Sequence, residues 1–200
     1  MLVFLCTVFL ALSPSFGQID DQKCFPRGLE KHLLRTPNVW KLMRELNGTF
    51  YLVYYSGDAA FRDKLPCLSA RKSRLDTTRK SGHYVYQYSS NTTVILSGAK
   101  DVDTKRKDNA YKHHNVMVVW YEEEKVYGKH DIELLYTDYR TCAVLKSTLL
   151  GIQMWVSSIH LKEAREIPWL CTIVYDLATD KPRQVLYDWK ECPQRLNVNK

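Results

Sequence analysis

The chain has 200 residues, 45% of them hydrophobic, and a formal net charge of +7. That length suits one domain with a sizeable core. Past the first residues no run approaches the roughly 18 apolar residues of a membrane span, and no nucleic-acid-binding motif accompanies the basic charge, so membrane insertion and nucleic acid are both excluded as partners.

The chain opens "MLVFLCTVFLALSPSFG", an uncharged apolar stretch that ends in small residues. This predicts a secretory signal peptide over 1–17 and a single mature domain over 18–200, secreted and extracellular. Next comes "TPNVWKLMRELNG", a predicted helix with Thr36 as cap, Pro37 at its first position, and Val39, Met43 and Leu46 on one face. Gly48 stops it, and the hydrophobic period then switches to two.

Eight strands are predicted in order. They are "TFYLVYYS" (49–56), "LPCLSARKS" (65–73), "HYVYQYSS" (83–90), "NTTVILSG" (91–98), "HNVMVVWYEEEK" (114–125), "KHDIELLYTD" (129–138), "RTCAVLKS" (140–147) and "IQMWVSS" (152–158). Tyr84, Tyr86 and Tyr88 share one face of the third. "KVYGK" (125–129) is read as the turn between the fifth and sixth. The basic runs at 70–80 and 100–108 are read chiefly as solvated loops, with attraction to anionic surfaces as their functional reading. "LKEAREIPWLCTIVYDLATD" predicts a helix broken at Pro168, and "RQVLYD" a last extended piece. Short connections throughout predict a mainly β fold, an eight-stranded antiparallel up-and-down barrel with an N-terminal helix and a late helix packed outside.

Secretion makes disulfides the default for Cys24, Cys67, Cys142, Cys171 and Cys192, although spacing alone does not choose their pairing. Asn47 and Asn91 head N-glycosylation sequons at expected turns. Catalytic and cofactor motifs are missing: there is no G-x-S-x-G, P-loop, G-x-G-x-x-G or H-E-x-x-H. His113 and His114, read as strand residues, point to opposite faces and do not chelate one metal together. No enzyme, no cofactor and no metal site are expected. The thirteen Tyr, five Trp and six Phe suit a ligand-lined barrel interior, or an interior and helix seam filled by the rings themselves.

"DYRTCAV" (138–144), "MW" (154–155), "IPWLC" (167–171) and "KEC" (190–192), in this order, resemble the tick salivary lipocalins of the histamine-binding family. The resemblance runs from about Trp40 to Cys192, with Gly48-Thr49-Phe50 in place of the usual lipocalin Gly-x-Trp. It implies disulfides Cys67–Cys192 and Cys142–Cys171, and leaves Cys24 unpaired or intermolecular. It also implies a lumen holding Tyr55, Phe61, Tyr121, Ala143, Leu145, Gln153 and Trp155.

Amine-binding members of that family resemble a pattern in which an Asp follows the strand cysteine and a Glu precedes Leu-Trp. Here those positions are Ala143 and Gln153, so both acids are gone. The function implied is sequestration of a small host-derived molecule to counter host defence. A hydrophobic, sterol or lipid-like ligand such as cholesterol leads, as in japanin-related members. Asp58 sits at the spacing of a family ligand contact, which keeps open histamine or serotonin capture; its other reading is a turn residue after Gly57. Binding of a host immune-cell or serum protein by the outer surface is the third reading.

Overall fold

A computed structural model describes residues 37–59, 61, 64–89, 94–123 and 126–195. The expected signal peptide, Thr36, Cys24 and Asn91 lie outside these residues. The chain runs α1 (Val39–Glu45), β1 (Thr49–Tyr55), β2 (Ser69–Asp76), β3 (Ser81–Ser89), β4 (Ile95–Lys105), β5 (Val116–Glu123), β6 (Val126–Thr137), β7 (Cys142–Ser147) and β8 (Gly151–Ser157). Then follow α2 (Ser158–Glu163), α3 (Trp169–Ala178), β9 (Gln184–Val185) and α4 (Glu191–Arg195). Strands β1 to β8 pair antiparallel in sequence order, and β1 closes the sheet by pairing with both β8 and β2. The fold is the expected eight-stranded barrel. Near its end β1 leaves β2 and pairs with β9 instead, through Tyr54↔Val185 and Tyr55↔Gln184.

Several boundaries differ from the expectations, each for a local reason. The cap of α1 is Asn38, whose Oδ1 accepts the Lys41 amide at 2.9 Å, and Pro37 therefore precedes the cap. β2 starts at Ser69 because Cys67 takes a left-handed φ of 57°, which no regular strand accommodates. "KVYGK" is no turn: Val126–Gly128 already pair with β5. His113 and His114 lie in the β4–β5 connection and not on a strand. The largest correction concerns the basic runs. Residues 71–76 and 100–105 are strand, not loop, so their alternating residues face opposite sides of the barrel wall.

Two cores result. Inside the barrel, α1 closes one end: Val39, Leu42 and Met43 pack against Val102, Leu134, Ala143 and Leu145. Outside, α2 and α3 cover the wall through Leu161, Val174 and Tyr175, which meet Val144, Met154 and Val156. Disulfides Cys142–Cys171 and Cys67–Cys192 are both formed, the two pairings implied by the resemblance. Cys142 accordingly belongs to the outer core while its neighbour Ala143 belongs to the inner one.

Gly48 links α1 to β1 at φ 83°, with nothing within 4 Å of where a Cβ would stand. The constraint there is backbone conformation alone. Gly48→Ala is expected to cost about 1–2 kcal/mol, read as a lower urea midpoint at unchanged slope, whereas Gly48→Asn retains most of the stability.

Candidate functional site

The motif "DYRTCAV" is first of all a structural device. The Asp138 carboxylate accepts the amides of Arg140 and Thr141 at 2.8 Å each and of Cys142 at 3.0 Å, and also the Thr141 hydroxyl. Burial alone would raise this carboxyl, but those hydrogen bonds outweigh it and hold it below its ordinary value. Thr137 Oγ1 donates to Cys142 O at 2.7 Å and accepts the Tyr139 amide at 2.9 Å. The turn holds Tyr139 at φ 61°, from where its hydroxyl accepts the Asn38 amide at 2.9 Å. The β6–β7 turn thereby anchors the start of α1, and α1 shuts the barrel.

Above α1 lies a cavity of about 240 Å³. Four of the expected lumen residues line it: Ala143, Leu145, Gln153 and Trp155. Gln153 is buried and fully engaged, donating to Ser147 Oγ at 2.8 Å and accepting the Trp155 indole N–H at 3.0 Å. Where the resemblance would place a carboxylate, a neutral amide thus serves to fix Trp155. Phe50 also lines the cavity, the position of the usual lipocalin tryptophan.

The other expected residues stand elsewhere. Tyr55 is completely buried and packs with Leu52, Leu68, Leu186 and the partly buried Phe61 in a cluster towards the opposite end, touching Trp155. A bulge between Leu52 and Tyr54 brings Tyr55 onto the face of Leu52. Tyr121 shares its side of β5 with Met117 and Val119, which line the cavity, yet it is not part of that lining. It stacks instead on His130 at 4.6 Å and lies over Gly128, which has no side chain to obstruct it. Asp58 is exposed, in the β1–β2 connection outside the cavity lining. Asn47 Oδ1 accepts from Lys72.

Charge is what the sequence reading missed. Lys72, Tyr84 and Lys100 sit side by side across β2, β3 and β4 and all line the cavity, as does Arg71 at the border with the outer surface. No Asp or Glu does so among the described residues. Lys72 holds the end of α1, donating to Met43 O at 2.8 Å, Arg44 O at 3.1 Å and Asn47 Oδ1 at 3.0 Å; burial lowers its pKa. Lys100 makes no such bonds among the described residues. Burial pushes the Tyr84 phenol well above its usual value, so it stays a neutral donor. The alternation K-D-V-D-T-K at 100–105 was the available signal, obscured by its charge.

A barrel of eight antiparallel strands around an apolar cavity, with an N-terminal helix and outer C-terminal helices, is the lipocalin architecture, a ligand-binding fold. Residues 29–194 match the family model of the tick histamine-binding protein, and the chain belongs to that family. No curated protein sequence matches it. Among solved structures it is similar to AM182 in its serotonin complex, with TM-score 0.58 and 17% identity over 78% of this chain and 92% of that one. It is also similar to insecticyanin from the tobacco hornworm Manduca sexta, with TM-score 0.52 and 13% identity over 69% of this chain and 75% of that one. At such identities both establish the fold alone.

Proposed function

We propose that the chain is a secreted scavenger that holds one small host-derived amphipathic, lipid-like molecule in its barrel and so counters host defence. The observation that carries this reading is the charge of the cavity lining, which among the described residues has Lys72, Lys100 and, at its border, Arg71 but no carboxylate. An ammonium entering the cavity would meet like charge without a paired acid, which is costly at low dielectric. An apolar body fits against Phe50, Val102, Met117, Val119 and Trp155, and a polar or anionic head fits Lys100 and the Tyr84 hydroxyl. Size narrows the class further. A cavity of about 240 Å³ falls below the roughly 300–1,000 Å³ common for drug-sized ligands. It favours a single acyl chain or a small amphiphile, while a four-ring sterol such as cholesterol requires Trp155 or its neighbours to move.

Native mass spectrometry of the secreted protein is expected to find such a molecule bound. With a fluorescent fatty acid as probe, Lys100→Glu is expected to weaken binding about tenfold by placing like charge beside the head group. Histamine or serotonin binding that vanishes in Asp58→Ala would overturn this reading in favour of amine capture. A barrel that binds neither class would favour recognition of a host protein by the outer surface.

A further inference from the structure

The end of the barrel closed by α1 carries a second concentration of charge. The β2–β3 turn ends at Lys80, and the β4–β5 connection supplies Arg106, Lys112, His113 and His114. Together with Trp40 of α1 these residues surround a recess of about 260 Å³. Their backbone is held in place. Thr104 Oγ1 donates to Lys80 O at 3.0 Å and lies 2.7 Å from His114 Nδ1, while His114 O accepts the Val39 amide at 2.8 Å.

The neighbours of Arg106 make its situation informative. Lys105 pairs with Asp131 and Lys107 with Glu133, both on β6. Arg106, Lys80 and Lys112 have no carboxylate partner among the described residues, and none lines the recess. The pKa of His114 is pushed below its usual value, first by burial and then by Lys80 and Arg106. The potential in the recess is therefore positive and uncompensated by the protein.

We propose that this recess is a binding site for a sulfated polysaccharide. Sulfate groups keep their charge at any physiological pH and accept charge-assisted hydrogen bonds from Lys80, Arg106 and Lys112. Trp40 adds an amphipathic ring for the sugar face to pack on. Several cations spread around an open recess suit repeated anionic groups better than one small ion. The site lies at the opposite end of the barrel from the last residues of β1, β3, β5 and β7, since β1 runs away from α1. Occupation of the recess therefore leaves that end free.

The test is binding of the full secreted protein to heparin, with the lumen probe measured alongside. Lys80→Ala/Arg106→Ala/Lys112→Ala removes three exposed cations and is expected to weaken heparin binding about 100-fold, roughly fivefold per cation near an anionic surface. Lys162→Ala/Lys181→Ala/Lys190→Ala removes the same charge from other exposed positions and is expected to leave the affinity unchanged. Equal losses in the two variants would reduce the effect to net charge and overturn the proposal. So would desulfated heparin, or single-stranded DNA of matched charge, binding as tightly as heparin itself.

Discussion

Replacing Cys67 and Cys192 together by alanine is expected to lower the unfolding free energy by about 5 kcal/mol. Replacing Cys142 and Cys171 is expected to lower it by about 3.6 kcal/mol. The difference follows from the chain each bridge closes, with sequence separations of 125 and 29 residues. The longer closure removes more conformational freedom from the unfolded chain. All four sulfurs belong to buried residues of the outer core, so both variants also lose packing, and the order rests on the loop lengths. Denaturant unfolding of the two double variants against the parent checks it. A larger loss from the shorter loop would mean that packing of α3, and not chain entropy, dominates.

Asp138→Ala is expected to cost about 3 kcal/mol, the scale for removing a charged acceptor from several partly buried donors. The effect carries a pH signature with a fixed sign. The folded state holds this carboxyl below its ordinary value of 3.8, so its stabilisation is fully present above that value. It is lost as pH falls through the lower, folded value. Parent and variant should therefore converge in stability only as the pH falls below about 4. Because the same turn presents Tyr139 to the Asn38 amide, the variant should also show faster hydrogen exchange at the start of α1. A stability gap that stays constant down to pH 2 would remove the charge from the explanation.

These two features also mark what was legible in the sequence. Period-two alternation marks part of each of the eight barrel strands, although it places the fourth over 91–98 whereas β4 runs Ile95–Lys105. The face assignment at Cys142-Ala143 agrees with the structure because β7 has no bulge between them; its register with β8 is unbroken. At β1 the same logic fails, since the bulge after Leu52 changes which side Tyr55 faces, and alternation carries no mark of a bulge. Helix and strand limits slipped where a single residue decided them, as Asn38 did for α1 and Cys67 for β2.

The site was less legible than the fold, for a different reason. Lysines in sequence default to solvent, yet Lys72 and Lys100 are placed inward by strand parity and solvated through the cavity. The aromatic residues posed the reverse problem. Tyr55, Tyr84 and Tyr121 all belong to the inner side of the wall, but only Tyr84 lines the cavity. The other two are drawn away by a packed cluster and by the stacking on His130. Pair partners of that kind depend on tertiary neighbours that no local pattern encodes.

The position of the bridges has a consequence for how such a barrel changes over generations. Cys142–Cys171, Cys67–Cys192 and the helices α2 and α3 brace the wall from outside. The side chains that line the cavity, such as Ala143, Leu145 and Trp155, contribute to a separate inner cluster. Putting a carboxylate in place of Ala143 would change the charge of the cavity without touching the brace. The brace and the cavity lining are therefore free to vary independently, so that selection can re-tune the interior while inheriting the exterior unchanged.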